Sequence, residues 1–232
     1  MKKQCLMIEG IPAVLWGEAS DELFIAVHGD QSNKEDKVIA ILAEEATAKG
    51  YQTLSFDLPE HGERKEENRL CNMPSCIEDL SKIMGYARTI SEDISLFGCS
   101  LGAYFSIMAY GSEPLLQALF LSPVVDMRRI IENMMICFDV SKERLEREKE
   151  ISTPVKTLYW DYYQYVTRHP VLWDKPTAIL YGRQDTLCEY EYIKKFADYA
   201  HADWTVMEDG EHFFHTNAQL SFFREWLGKV MN

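Results

Sequence analysis

The sequence has no hydrophobic run long enough to cross a bilayer, no Cys-x-x-Cys pair, and too few cations to balance its anions. Near the N-terminus, Lys2 and Lys3 precede an apolar stretch that Glu9, Gly10 and Pro12 interrupt at once, which is too short for a signal h-region or a membrane span. The expectation is a soluble, cytoplasmic protein. The 24 Lys+Arg residues stand against 37 Asp+Glu, a formal net charge of −13. That deficit excludes a protein that works by neutralising phosphates, because nucleic-acid affinity comes largely from Lys and Arg releasing counterions. Anionic membrane surfaces are disfavoured for the same reason. The cysteines Cys5, Cys71, Cys76, Cys99, Cys137 and Cys188 are scattered, several inside apolar stretches where a reduced thiol behaves as a small hydrophobe. Neither a disulfide framework nor a zinc site is expected. There is also no internal repeat and no low-complexity segment.

What the chain has is core-forming material. Its 232 residues are 47% hydrophobic and 12% aromatic, enough for one domain spanning 1–232 that buries roughly 70–75% of its unfolded surface. Short runs rich in Val, Ile, Leu and Phe occur at Leu6–Ile8, Ala13–Trp16, Leu23–Val27, Thr53–Phe56, Ile94–Phe97, Ala118–Leu121, Thr177–Tyr181 and Trp204–Met207. These lengths suit strands. Helical spacing appears at Asp36–Lys49 closed by Gly50, Met73–Thr89, Leu101–Tyr110 closed by Gly111, Glu189–Ala200 and Ala218–Val230. Both glycines are expected to be left-handed helix stops. Nearly all-apolar strands separated by amphipathic helices imply an α/β fold with a mostly parallel, doubly wound sheet. The first two runs, joined at Gly10-Ile11-Pro12, predict an antiparallel hairpin at one edge. Residues 125–174 separate two strands by more than a crossover needs. They are expected to form a small helical cap inserted before the next strand, with Ser141 capping a helix over Lys142–Lys149 and a dense aromatic run at 159–165.

The five residues Gly98-Cys99-Ser100-Leu101-Gly102 carry the chemistry. A G-x-S-x-G string arises by accident in roughly one chain of this length in ten, so its context decides its weight. Here it follows the apolar strand Ile94–Phe97 directly and precedes a helix directly, the setting of a nucleophile elbow. Such a turn holds its serine in a strained conformation, and the flanking glycines stand where a Cβ would meet backbone.

With that elbow the sequence resembles the α/β-hydrolase family. Gly182-Arg183-Gln184-Asp185 follows a strand and is similar to the family's acid loop; Asp209-Gly210-Glu211-His212-Phe213-Phe214 is similar to its histidine loop. Val27-His28-Gly29-Asp30 resembles its His-Gly oxyanion turn, and Asp57-Leu58-Pro59-Glu60-His61-Gly62-Glu63 the loop after the next strand. The resemblance runs from Leu23 to the C-terminus, with the inserted cap outside it.

It implies acyl transfer. Ser100 would attack a carbonyl, His212 would take its proton, and Asp185 would orient and stabilise the imidazole. The backbone N–H groups of Leu101 and Asp30 would form the oxyanion hole, with Gln31 as the alternative second donor if the turn is shifted by one residue. Asp126, after Ala118–Leu121, is a rival for the acid, and His215 for the histidine. His28 and His61 are expected to brace loops through ring N–H bonds to backbone, and Cys99 to pack into the core. The charged run from Lys142 to Glu150 reads as a solvated helix face. The implied activity is a serine esterase acting on a small or medium carboxylic ester, with a small-molecule substrate and no cofactor, metal, nucleic acid or membrane. An aminopeptidase, which would use Glu143, Glu146 or Glu150 to receive an amine, a thioesterase, and a non-turnover ligand receptor are the alternatives.

Overall fold

The computed structural model describes residues 1–231. Ten strands and eight α-helices alternate among the described residues: β1 (Lys3–Ile8), β2 (Ile11–Trp16), β3 (Glu22–Val27), α1 (Lys37–Ala48), β4 (Gln52–Phe56), α2 (Met73–Ala87), β5 (Asp93–Cys99), α3 (Leu101–Tyr110), β6 (Ala118–Leu121), α4 (Met127–Cys137), α5 (Lys142–Glu148), β7 (Glu150–Ile151), β8 (Leu158–Tyr159), α6 (Trp160–Arg168), β9 (Thr177–Gly182), α7 (Tyr190–Tyr199), β10 (Asp203–Met207) and α8 (Asn217–Val230). Eight strands form one sheet in the order β1-β2-β4-β3-β5-β6-β9-β10. The β1–β2 hairpin is antiparallel and joins β4 antiparallel; every pairing from β4 to β10 is parallel.

The all-apolar strands are explained by which face each side chain takes. In β3, Leu23, Ile25 and Val27 enter one buried cluster, while Phe24 and Ala26 enter the other. The second cluster is closed by α1 and α8 through Leu42, Ala46, Phe223 and Leu227; the first is closed by α2, α3, α7 and the segment between β6 and β9. A period of two that is apolar at both phases therefore means a strand covered on both sides. At the open edge, β1 is mostly exposed. Its Lys3 ammonium lies 4.1 Å from the Trp16 ring centroid, and a lysine there blunts unwanted strand pairing.

Gly50 ends α1 at φ +94, as expected. Gly111 does not act as a left-handed stop: it follows α3 at φ −55 and ψ −31, still right-handed, and the turn through Glu113 closes by a backbone bond to Tyr110. Ser141 caps α5 by accepting from the Arg144 N–H. Between β6 and β9 the chain also builds α4, the short β7–β8 hairpin and α6. Trp160, Tyr163 and Val166, spaced by three, are the buried stripe of α6, and the Tyr163 hydroxyl bonds Glu132 of α4 at 3.0 Å.

The first crossover, through α1, places β4 on one side of β3, and the next, through α2, places β5 on the other. This reversal opens a crevice at the carboxyl ends of β3 and β5, where open parallel sheets bind ligands. Register brings the ends level: Val27 pairs Gly98, and Cys99 pairs Leu121.

Candidate active site

The turn after β5 is built by steric exclusion. Ser100 sits at φ 50 and ψ −116, away from every basin an L-residue favours. Its N–H donates to Leu121 O at 3.0 Å, and its carbonyl accepts from Val124 N at 3.1 Å, which pins the turn to the end of β6. A Cβ on Gly102 would stand 2.3 Å from His28 O, and one on Gly98 would stand 2.7 Å from Ala103 Cα. Only glycine lets α3 start this close to β3 and turn this sharply out of β5.

Ser100 is 8% exposed, and its Oγ lies 2.7 Å from His212 Nε2. The other ring nitrogen, Nδ1, lies 2.7 Å from Asp185 Oδ2. Asp185 is fixed in turn: Oδ1 accepts from Leu187 N and Cys188 N, each at 2.8 Å, and its side chain is fully buried. The loops carrying Asp185 and His212 are laced together by Arg183 N to Met207 O at 2.9 Å and Gln184 N to Gly210 O at 2.8 Å. Gly182 and Gly210 allow this, since a Cβ on Gly182 would meet Gly210 carbonyl carbon at 2.5 Å. The relay Ser100–His212–Asp185 thus spans three loops held by backbone contacts.

The rivals lie elsewhere. Asp126 caps α4, its Oδ1 accepting from Arg129 N at 3.0 Å. His215 is exposed, its Nδ1 2.8 Å from Phe213 O. Cys99 packs partly buried against the second core cluster, and burial pushes its thiol up to about 12. Asp185, Cys188 and His212 bring potential metal-ligand atoms within 4.8 Å of one another. However, both Asp185 oxygens are already engaged, and burial holds the Cys188 thiol well above its usual range. A protonated thiol is a poor metal ligand, so the donor set suits a hydrogen-bond relay better than an ion.

Leu101 is the first residue of α3, where helix geometry leaves N–H groups without intrahelical acceptors. Across the crevice, the turn after β3 approaches so closely that a Cβ on Gly29 would lie 3.2 Å from Ser100 Cβ. His28 braces that turn: Nδ1–H donates to Gly29 O at 2.7 Å, and Nε2 accepts from Leu58 N at 3.1 Å. Burial lowers His28 to about 4, so the ring is neutral, as its acceptor role requires.

Next along the turn, the Asp30 carboxylate is 2.8 Å from Lys156 Nζ and 3.3 Å from His61 Nε2. Burial disfavours its charge, but His61 and Lys156 outweigh this and hold the carboxyl well below the usual range. Burial likewise opposes charge on His61. The Asp30 carboxylate, Cys71 and the Pro59 carbonyl prevail and raise that ring to about 10. His61 therefore braces its loop, through Nδ1–H to Pro59 O at 2.7 Å, as an imidazolium. Lys156 was not foreseen: it lies between β7 and β8, 126 positions from Asp30, and no local pattern marks it.

No protein-family model and no curated protein sequence matches the chain. Solved structures do. Est1E from Butyrivibrio proteoclasticus with ferulic acid bound superposes with a TM-score of 0.76 at 20% identity, covering 98% of this chain and 97% of that one. The chain has the α/β-hydrolase fold. Alpha/beta hydrolase domain-containing protein 10 from mouse (TM-score 0.79, 14% identity, 100% and 98% coverage) and the Pyrococcus furiosus esterase Pf2001 (0.70, 19%, 98% and 89%) share it. The coverage extends over the whole α/β-hydrolase fold, so the segment between β6 and β9 is spanned as well.

Proposed function

We propose that this chain is a serine hydrolase that cleaves a small or medium carboxylic ester through an acyl-enzyme intermediate. The observation that carries the reading is the hydrogen-bonded relay from Ser100 Oγ through His212 to buried Asp185, at the tip of a strained turn. In this reading His212 Nε2 takes the Ser100 proton as Oγ attacks the ester carbonyl. The imidazolium is stabilised by Asp185, and the tetrahedral oxyanion by the backbone N–H groups of Leu101 and Asp30. His212 then returns the proton to the departing alcohol. Water, activated by the same ring, releases the acid and restores Ser100.

One neighbour in fold, Pf2001 from Pyrococcus furiosus, is described as an esterase, and another, Est1E, is described with ferulic acid bound. In this chain Tyr104 of α3 belongs to the first core cluster, with Tyr162 and Tyr165 of α6 packed against that cluster. If these rings border the site, they would suit an aromatic or otherwise flat acyl group. By contrast, Glu143, Glu146 and Glu150 are exposed, which lends no support to an amine-receiving carboxylate. The proposed location is the cytoplasm; among the described residues no helix is long and apolar enough to cross a membrane.

The test is labelling with a fluorophosphonate, which phosphonylates an activated serine. Wild type is expected to label and Ser100→Ala to remain unlabelled; labelling that does not depend on Ser100 refutes the reading. Turnover of p-nitrophenyl esters graded from acetate to cinnamate would then define the acyl preference.

A further inference from the structure

Cys71 and Cys76 flank the start of α2. Asn72, the cap of that helix, directly follows Cys71, and Cys76 lies in its first turns. Their sulfur atoms are 3.8 Å apart. Cys76 is buried, whereas Cys71 is partly exposed and belongs to the loop preceding the helix. The Cys71 N–H donates to Glu60 Oε2 at 2.6 Å, which holds this loop against the residues before His61. The charges of His61 and Lys156 act on its thiol as well. One sulfur is therefore partly exposed and in contact with a second thiol, while the other is packed in the core.

We propose that Cys71 and Cys76 form a redox-active dithiol, with Cys71 the thiolate that attacks a hydroperoxide and Cys76 the thiol that closes a disulfide. The S–H of Cys76 hydrogen-bonds to Cys71 and lowers it; burial opposes, and the nearby His61 and Lys156 add to the lowering. Burial and the adjacent Cys71 sulfur hold Cys76 far above the ordinary thiol range, which keeps it a donor. This division between an ionised attacking sulfur and a protonated resolving one is how reactive thiol pairs are arranged.

In the first step Cys71 Sγ attacks the terminal peroxide oxygen. An S–O bond forms as the O–O bond breaks, the sulfur loses two electrons to the peroxide, and the alkoxide or hydroxide leaves with a proton from solvent. In the second step Cys76 Sγ attacks the sulfenic sulfur. The S–S bond forms as the S–O bond breaks, and the departing hydroxide takes the Cys76 proton and leaves as water. Closure to a normal S–S length of about 2.05 Å requires the sulfurs to approach by about 1.8 Å, a movement open to a loop residue beside a helix start.

The experiment uses the full chain and hydrogen peroxide at pH 6, where thiolate fraction governs the rate. Both cysteines fall on one tryptic peptide, residues 70–82, bounded by Arg69 and Lys82. After peroxide, that peptide is expected to lose two hydrogens and resist iodoacetamide, and to recover two alkylatable thiols with dithiothreitol. Its conversion should be at least about fivefold faster than oxidation of the exposed Cys5 and Cys137, the internal controls. Cys76→Ser should stop at a dimedone-trapped sulfenic acid on Cys71, and Cys71→Ser should form neither product. Closing the disulfide replaces an anionic sulfur beside His61 by a neutral one, so the His61 ring should titrate lower by NMR in the oxidised protein. The inference is overturned if peptide 70–82 keeps two alkylatable thiols at a peroxide dose that oxidises Cys5 and Cys137, or if His61 titration does not move. Neither readout depends on ester turnover, so failure here and failure of the hydrolase reading are separable.

Discussion

Replacing Ser100 by alanine and, separately, by glycine divides the strain of the turn from the value of its hydroxyl. Both variants lose the 2.7 Å contact with His212, so that term cancels between them. Alanine keeps a Cβ at φ 50 and ψ −116, a conformation that L-residues adopt at a cost of about 1–3 kcal/mol. Glycine removes that cost but adds unfolded-state freedom, which takes back about 0.5–1 kcal/mol. Taking the middle of both ranges, Ser100→Gly should be more stable than Ser100→Ala by about 1 kcal/mol, and neither should react with a fluorophosphonate. Urea unfolding followed by far-UV circular dichroism measures the difference directly. If the alanine variant equals or exceeds the glycine variant, the turn stores no strain and the account of the elbow is wrong.

Asp185→Asn should lower ester turnover roughly 1,000- to 10,000-fold, because an amide no longer enforces the histidine tautomer, while Asp126→Asn should leave turnover within about threefold because asparagine also caps a helix well. The reverse result would move the acid to Asp126. Gly102→Ala should cost more than about 3 kcal/mol or prevent soluble expression, since its methyl would sit 2.3 Å from His28 O; a melting temperature unchanged from wild type would contradict this. His28 links stability to pH with a definite sign. The free ring titrates near 6.5 and the folded ring near 4, so between these values the unfolded chain holds the extra proton. The contribution of His28 is complete above pH 6.5 and is lost as pH falls through about 4, up to about 3 kcal/mol. Urea midpoints at pH 7 and 4.5 should converge in His28→Gln relative to wild type, and an equal drop in both proteins would refute the assignment.

The sheet was readable because its central strands obey one rule: apolar at both phases when covered on both faces. All eight runs became strands of the main sheet; β6 keeps its expected ends, and the others gain residues such as Glu22, Gly182 or Ile11 that continue the ladder. The helix α4 was missed although Met127, Ile130, Ile131, Met134 and Met135 have helical spacing. The signal was Asp126, a helix cap weighed only as a catalytic acid. Gly111 shows the converse error. A glycine after the last apolar residue permits a left-handed stop without requiring one, and here the chain continues right-handed into the next turn.

At the site, sequence order was enough to nominate Ser100, Asp185 and His212, because each lies in a short loop directly after a strand whose neighbours are fixed by topology. It was not enough to explain Asp30. A carboxylate beside a developing oxyanion would raise the energy of that charge, and from the sequence alone Asp30 is an awkward neighbour for Ser100. The folded chain answers this with two cations drawn from distant segments. His61 arrives from the loop after β4, and Lys156 from between β7 and β8. Both contact the Asp30 carboxylate, so its charge is locally paired rather than left to act on the turn. Net charge alone therefore does not describe the surroundings of Ser100, where Asp30, His61 and Lys156 form one ion-paired group. Removing Lys156 tests the point: Lys156→Gln should weaken KM for an ester bearing a carboxylate more than for its neutral methyl analogue, with the gap shrinking as salt screens the exposed ammonium. Equal effects on both esters at low salt would mean that Lys156 serves only to neutralise Asp30.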